Sequence, residues 1–293
     1  MSLTGALLER PALPFVVRDV PLGDGRRLRV AQYGEGRPIV LIHGALVDGR
    51  DWLTGSAAAL RDMGRLLVVD RPGHGGSTRP RFEADPHAQA AQLRAGLRQI
   101  GVDRPVLVGH SLGAAVSLAF AADFPEEVAG LALVAPIAFP EVRPIEHGYL
   151  APRAAPVAGP MLSALGRSTT DPAFWVTVRK LMFSPQEPTA AWLAAFPASE
   201  VTRPEKLVAE GEDAAAMFPG SPGSVIAYDR ITAPTVVLTG DRDKVADPNR
   251  HARPLSRRLA QAELREFEGV GHMLHHVRAE AVAGAVRDLL SRP

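Results

Sequence analysis

The sequence contains no cysteine, which excludes disulfide bonds, thiolate nucleophiles and metal sites built from cysteine ligands. Lysine is also scarce: Lys180, Lys206 and Lys244 are the only three, so arginine carries almost all of the positive charge. The 33 basic and 32 acidic residues nearly cancel, leaving a formal net charge of +1, and no long basic run is present. A nucleic-acid partner is therefore not predicted, and a small neutral or weakly charged ligand is more natural.

Long apolar runs are missing as well. The longest charge-free stretch, Pro105 to Ala122, is interrupted by glycines, a histidine and two serines, so no membrane span is predicted. The N-terminal stretch carries Glu9 and Arg10 where a secretory signal needs an uninterrupted apolar segment. We therefore expect a cytoplasmic location.

Short apolar runs bounded by Gly, Pro or Asp alternate with segments of helical periodicity along most of the chain. The predicted strands are Leu28 to Tyr33, Pro38 to Ile42, Arg65 to Val69, Pro105 to Val108, Gly130 to Val134, Thr235 to Thr239 and Leu264 to Glu268. The predicted helices are Ala57 to Met63, Pro86 to Ile100 behind an Asp85 N-cap, Leu112 to Asp123, Arg250 to Ala262 and Ala279 to Leu290. This alternation predicts an α/β fold, with a mostly parallel central sheet and helices on both faces.

The alternation stops between Pro136 and Ala233, a gap far longer than a plain crossover needs. The gap begins rich in proline and then becomes amphipathic, with the apolar residues of 174–182 at spacings that share one helix face. We predict a core domain formed by residues 1–136 and 234–293, with residues 137–233 inserted as a mainly helical cap. A long surface loop is the alternative, and loops of that length without structure of their own are uncommon.

A G-x-S-x-G pattern, Gly109-His110-Ser111-Leu112-Gly113, lies between a predicted strand and a predicted helix. Such a turn exposes the serine hydroxyl above the sheet, and this context gives the short pattern its weight. A glycine-flanked turn without chemistry is the alternative. A serine hydroxyl needs a base to remove its proton and a third group to orient that base.

His272 and Asp243 are the candidates for the base and the orienting acid. Asp243 lies in the Gly-Asp-Arg-Asp segment after the strand ending at Thr239, and His272 lies in a Gly-Val-Gly-His segment after the last strand. Both segments belong to the carboxyl edge of the predicted sheet, where Ser111 is also expected. Asp241 is the competing acid, although it is also suited to capping the next helix.

Backbone N–H groups near Ser111 are candidates for stabilising an oxyanion. Leu112, directly after the serine, supplies one at a helix N-terminus, and Ala45, after the strand that ends in His43-Gly44, is our choice for the other. An ordinary strand-ending turn is the alternative for His43-Gly44. The glycine-rich loop 70–77 lacks a Walker lysine and the dinucleotide spacing, so we interpret its Asp70, Arg71 and His74 as structural.

Together these segments resemble the α/β-hydrolase superfamily, and in particular its capped, esterase-like members. The resemblance rests on YGEGRPIVLIHGALVDGRDW, VVDRPGHGGS, VGHSLGAA, VLTGDRDKVADP and GVGHM, in that order, and on the chain order of serine, acid and histidine. It implies a catalytic triad of Ser111, Asp243 and His272 in a site between sheet and cap, without a cofactor or metal. Ala114 departs from the pattern, since a second glycine often follows this elbow. The serine nucleophile argues against relatives that use an aspartate nucleophile.

The resemblance predicts a carboxylic-ester hydrolase that acts through an acyl-enzyme on Ser111. Carbon-carbon bond hydrolases, lactonases and cofactor-free perhydrolases stay open, as does a non-catalytic ligand-binding protein of the same fold. The apolar side chains Phe174, Trp175, Met182 and Trp192 are expected to bind the substrate, which predicts small neutral or apolar molecules. The predicted partner is a small ester-like molecule, and the sequence carries no signal for an oligomeric state.

Overall fold

A computed structural model describes residues 13–292 of the chain. Its centre is one eight-stranded sheet with the strand order β1-β2-β4-β3-β5-β6-β7-β8. β1 and β2 pair antiparallel, β2 pairs antiparallel with β4, and all other neighbours pair parallel. The strands are β1 Val16–Gly23, β2 Arg26–Tyr33, β3 Pro38–Ile42, β4 Arg65–Val69, β5 Val106–His110, β6 Gly130–Val134, β7 Thr235–Gly240 and β8 Ala262–Phe267. The predicted α/β fold with a mostly parallel sheet is confirmed.

The helices are α1 Arg50–Leu53, α2 Pro86–Gln99, α3 Leu112–Asp123, α4 Ala158–Gly166, α5 Asp171–Phe183, α6 Ala190–Ala195, α7 Ala198–Val201, α8 Pro204–Ala216, α9 Ala252–Arg258, α10 Leu274–Val277 and α11 Ala279–Leu290. Shorter 3-10 or π turns cover Ser56–Leu60, Pro125–Glu127, Glu146–Leu150, Ala151–Ala154, Pro222–Ser224 and Tyr228–Arg230. The predicted N-cap of α2 is confirmed, because the Asp85 carboxylate accepts hydrogen bonds from two backbone N–H groups of the first turn.

Helices cover both faces of the sheet because successive strand residues point to opposite sides. In β3, Val40 and Ile42 pack in the same cluster as α2, α3 and α9, whereas Ile39 and Leu41 pack with α1, α10 and α11. The central strands are therefore buried on both faces, which explains their nearly uninterrupted apolar sequences.

One strand is absent from the sequence prediction, and two predicted helices differ from the structure. The strand is β1, an edge strand whose residues are mostly exposed and therefore carry no apolar run. The helix predicted over Arg250 to Ala262 spans only Ala252–Arg258, because the backbone becomes extended at Leu259 and Ala262 already belongs to β8. The predicted helix from Ala57 is the 3-10 turn Ser56–Leu60.

Between β6 and β7 the described chain contains helices and turns and no strand. Its helices bury their own apolar cluster, which also takes in Leu46 and Val47, after β3, and Met273, after β8. The inserted segment thus packs on loops at the carboxyl ends of the strands.

Within residues 13–292, no helix is long and apolar enough to cross a bilayer. The prediction about the secretory signal rests on an N-terminal segment whose residues 1–12 lie outside the described part of the chain.

Candidate active site

Ser111 lies in the sharp turn between β5 and α3, with φ 55° and ψ −118°. This turn depends on close backbone approach at both flanking glycines. A Cβ on Gly109 would lie 2.5 Å from the Gly113 carbonyl oxygen, and a Cβ on Gly113 would lie 2.3 Å from the Ile42 oxygen. The predicted strand, elbow and helix around the serine are thus present, and Ser111 lines a cavity of about 320 Å³.

His272 lies in the loop after β8 and lines the same cavity. Its Nδ1 is 2.8 Å from Asp243 Oδ2. Because a carboxylate only accepts, Nδ1 carries the proton in this pair and Nε2 is left with a free lone pair. Asp243 Oδ1 accepts hydrogen bonds from the N–H groups of Val245 and Ala246, at 2.8 Å each, which fixes the carboxylate in the loop after β7.

Asp241, the competing acid, has a different contact. Its Oδ1 accepts the N–H of Gly269 at 2.7 Å, which ties the loop after β7 to the turn before His272. It does not cap α9, because His251 occupies the N-cap position. Of the two carboxylates, only Asp243 is bonded to the imidazole.

The two predicted oxyanion donors also line the cavity. A Cβ on Gly44, directly before Ala45, would lie 3.1 Å from the Cβ of Ser111, so this loop passes close to the serine. Leu112 is the first residue of α3. Among the hydrogen bonds of residues 13–292, neither the Ala45 nor the Leu112 N–H has a protein acceptor. The absence of a protein acceptor is consistent with the predicted role of both amides as oxyanion donors.

The inserted segment contributes a different apolar lining from the one predicted. Met182 lines the cavity, but Phe174, Trp175 and Trp192 do not. Trp175 stacks on Trp192 with ring centroids 5.7 Å apart, and Phe174 stacks on Tyr149 at 4.1 Å. These three rings pack within the inserted segment and do not line the cavity. The prediction that they contact the substrate is therefore corrected. Other apolar lining residues are Leu46, Ile137, Phe139, Val142, Ile145, Leu150, Val178, Leu181, Ala214, Met217 and Val245.

Charged side chains also line the cavity, and no sequence pattern pointed to them. They are Glu141, Arg143, Glu146, Glu210, Asp213, Lys244, Asp247 and Arg250. Around Glu141 the charges are paired, since its carboxylate contacts Arg143, Arg250 and His251. This part of the lining is therefore polar but nearly balanced in charge.

A second buried network lies beside the candidate catalytic histidine. Asp51 accepts hydrogen bonds from His275 Nε2 at 2.9 Å, His276 Nε2 at 2.9 Å and Trp192 Nε1 at 2.8 Å. Burial raises the pKa of Asp51, but His275 and His276 outweigh it and hold this pKa well below its usual value. His110 completes the cluster by donating from Nε2 to the His272 carbonyl oxygen at 3.1 Å.

Two groups in the described chain have the composition of a metal site: Asp51 with His275 and His276, and His74 with Glu210 and Asp213. In the first, both histidine Nε2 atoms hydrogen-bond to the carboxylate. In the second, His74 Nε2 lies 2.8 Å from Asp213 Oδ2 and Nδ1 lies 3.2 Å from Glu210 Oε1. In both groups the candidate ligand atoms therefore contact one another, while His275 Nδ1, His276 Nδ1 and Glu210 Oε2 are buried without a hydrogen-bond partner among residues 13–292.

Known proteins resemble this chain at the level of sequence and of fold. The alpha/beta hydrolase family matches residues 39–285. The chain is 37% identical over 128 residues to the dihydrolipoyllysine-residue acetyltransferase component of the acetoin cleaving system of Cupriavidus necator, which covers 43% of this chain but 33% of that protein. It is 27% identical over 274 residues to the carbamate hydrolase candidate RutD of Klebsiella pneumoniae, covering 87% and 92% of the two chains. A thermophilic esterase from Thermogutta terrifontis superposes with a TM-score of 0.73 at 22% identity, over 94% of this chain and 97% of the other.

The family match begins within β3 and ends within α11, so it includes the strands, the elbow and the two loops that carry Asp243 and His272. Because it spans well over half of the sequence, this chain belongs to the alpha/beta hydrolase family.

Proposed function

We propose that the protein is a serine hydrolase that cleaves carboxylic esters through an acyl-enzyme on Ser111. The observation that carries the proposal is the 2.8 Å hydrogen bond between His272 Nδ1 and Asp243. His272 also lines the same cavity as Ser111. That bond leaves Nε2 as the nitrogen able to take the serine proton. The family and its esterase-like neighbours support a hydrolase of this kind.

In the proposed mechanism, Ser111 Oγ attacks the ester carbonyl carbon while His272 Nε2 takes the hydroxyl proton. The carbonyl oxygen becomes an oxyanion, which accepts hydrogen bonds from the Ala45 and Leu112 N–H groups. When the carbon-oxygen bond to the alcohol breaks, His272 returns the proton to the leaving oxygen. Water then attacks the acyl-enzyme by the same steps and releases the acid. Asp243 keeps the imidazole in the required tautomer throughout.

The cavity supports small neutral or apolar substrates. Its lining is mostly apolar, and Met182, Val178 and Leu181 of α5 supply part of it. Its volume of about 320 Å³ is at the small end of the range for small-molecule sites. We also propose that residues 137–233 form a cap on a core of residues 1–136 and 234–293, because this segment supplies much of the lining.

Replacing Ser111 by Ala tests the nucleophile. We expect the wild-type protein to hydrolyse p-nitrophenyl butyrate and to be labelled by a fluorophosphonate at Ser111, as located by mass spectrometry. Ser111→Ala should lose both while unfolding at a similar temperature, because only a hydroxyl is removed. The control is Ser163→Ala, since Ser163 is equally buried but lies in α4, outside the cavity.

Labelling that persists in Ser111→Ala would refute the nucleophile. A wild-type protein that neither hydrolyses esters nor reacts with the probe would instead favour the ligand-binding alternative. A panel of esters, lactones, carbamates, peracids and vinylogous diketones then separates the remaining hydrolase classes, which share the serine and differ in the bond that is cleaved.

A further inference from the structure

Helix α8 of the inserted segment turns two carboxylates toward the core. Glu210 and Asp213 are three residues apart and therefore lie on one face of the helix. They are only 4% and 2% exposed, although a run of the type Glu-Gly-Glu-Asp usually faces solvent. Buried carboxylates persist where they have specific partners. Here Glu210 binds the loop that carries Ala45, and Asp213 binds Arg71, which in turn contacts that loop.

Glu210 contacts this loop directly. Its Oε1 accepts the N–H of Leu46 at 2.8 Å, in the peptide that joins Ala45 to Leu46. Leu46 has φ 64°, a left-handed conformation that is costly for a leucine. A backbone held in this region needs a contact that compensates, and the bond to Glu210 is one.

Asp213 reaches the other side of Ala45 through an arginine. Its Oδ2 accepts a hydrogen bond from Arg71 Nη1 at 2.7 Å, and Arg71 Nη2 in turn donates to the Gly44 carbonyl oxygen at 3.1 Å. Arg71 Nε also donates to the His43 oxygen at 3.0 Å. The guanidinium is fully buried, and Asp213 supplies the opposite charge it needs, while Gln89 Oε1 accepts a second bond from Nη1 at 2.8 Å.

The Gly44 oxygen belongs to the same peptide unit as the Ala45 N–H. In a trans peptide the C=O and N–H point in opposite directions, so fixing one fixes the other. His43 also donates from Nδ1 to this oxygen at 2.8 Å, and its Nε2 accepts the Arg71 N–H at 2.9 Å. Burial, and next the charge of Arg71, lower the pKa of His43 to about 3, so it stays neutral and keeps these two roles.

From these contacts we infer that Glu210 and Asp213 are positioning residues for the Ala45 oxyanion donor. Glu210 fixes the peptide after Ala45, and Asp213, through Arg71, fixes the peptide before it. The inserted segment then does more than line the cavity. The orientation of the Ala45 N–H depends on the packing of α8 against the loop 43–46 and Arg71. This inference rests on the proposed serine-hydrolase function.

Substitutions at Glu210 test the inference with p-nitrophenyl butyrate. Glu210→Ala removes the acceptor of the Leu46 N–H, and we expect kcat to fall about 10-fold to 100-fold, with KM within about twofold, as for a partly lost oxyanion contact. Glu210→Gln keeps an acceptor oxygen of the same reach and should stay within about threefold of the wild-type kcat. Rescue by the amide separates an acceptor role from simple loss of volume.

The matched control is Glu212→Gln. Glu212 is on the same helix and is 5% exposed, but its carboxylate pairs with Arg79 and Arg81 and not with the loop 43–46. We expect its kcat to stay within about twofold of wild type, whatever its effect on the melting temperature. If Glu210→Ala does not fold, Asp213→Asn, of nearly equal volume, replaces it. It should also lower kcat at constant KM, because the amide removes the negative charge that pairs with the buried Arg71 guanidinium.

A trifluoromethyl ketone, which forms an oxyanion on the serine, gives a second measurement. Its affinity should weaken in proportion to kcat/KM across the variants, whereas the affinity of the butyrate product should not change. The inference is overturned if Glu210→Ala retains wild-type kcat, if only KM changes, or if Glu212→Gln loses as much. If the wild-type protein hydrolyses no ester, the proposed function is refuted, and the inference that rests on it is refuted as well.

Discussion

The two aspartates after β7 lie two positions apart in the sequence but make different contacts. Asp243 bonds to the His272 imidazole, and Asp241 bonds to the backbone of the neighbouring turn. We predict that Asp243→Asn lowers kcat by about 10⁴-fold, because an amide that donates toward Nδ1 favours the wrong tautomer. Steady-state kinetics with p-nitrophenyl butyrate at pH 8 measures the effect.

Asp241→Asn is the control for this prediction. Its side-chain oxygen still accepts the Gly269 N–H, so we expect kcat to change less than about tenfold. A larger loss in Asp241→Asn than in Asp243→Asn would assign the acid role to Asp241 instead.

At the residue scale, the sequence could propose candidate site residues where a local pattern marks them. Ser111, His272 and the choice of Asp243 over Asp241 came from motif, chain order and resemblance. Glu210 could not be found this way, since its partner Leu46 is 164 positions away and its own neighbours resemble a solvated acidic run. Long-range pairing of a buried carboxylate leaves no periodic signal in the sequence.

At the scale of secondary-structure elements, the parallel strands were predictable because burial on both faces gives short apolar runs between turn residues. The edge strand β1 lacked this signal, because only Val20 of its eight residues is fully buried. In the inserted segment, helices could be predicted, but not which aromatic rings face the cavity. Trp192, for example, donates to Asp51 in the core and is therefore unavailable to a substrate.

Helix α4 reverses the usual distribution of large and small side chains. Gly159, Ser163 and Gly166 are buried, while the large apolar residues of this helix, such as Met161 and Leu165, are exposed. The helix therefore approaches its neighbours through small residues. A Cβ on Gly159 would lie 1.9 Å from the Arg153 carbonyl oxygen, which belongs to the backbone and cannot turn aside.

We predict that Gly159→Ala lowers the free energy of unfolding by about 1–3 kcal/mol, because overpacking outweighs the better helix propensity of alanine. Urea denaturation measures this difference. Gly148→Ala is the control, since its Cβ would meet no atom within 4 Å, and we expect no loss there. Equal stability of the two variants would contradict the close packing of α4.

At the scale of the whole molecule, the fold buries several histidines in the neutral form. Burial lowers the pKa of His43 to about 3 and of His275 to about 4, and it holds the pKa of His110 well below its usual value. In the unfolded chain these side chains bind a proton near pH 6.5. Between about pH 6.5 and pH 4 the unfolded state therefore binds more protons than the folded state, and the free energy of unfolding falls as the pH is lowered.

We predict a loss of about 1 kcal/mol per pH unit for each of these histidines below pH 6.5, measured by urea denaturation between pH 7.5 and pH 5.5. Above pH 5 the carboxylates contribute little to this slope, because their unfolded pKa values lie near 4. His275→Gln, whose amide can still donate to Asp51, should reduce the slope by the contribution of one histidine.

His87→Gln is the control. Burial lowers the pKa of His87, but Asp123 and the Val225 carbonyl oxygen outweigh it and raise this pKa. His87 therefore stabilises the fold at acidic pH. Its removal should leave the slope unchanged or steeper. If His275→Gln has the wild-type slope, His275 is not held neutral in the folded protein, and the acid sensitivity must come from other groups.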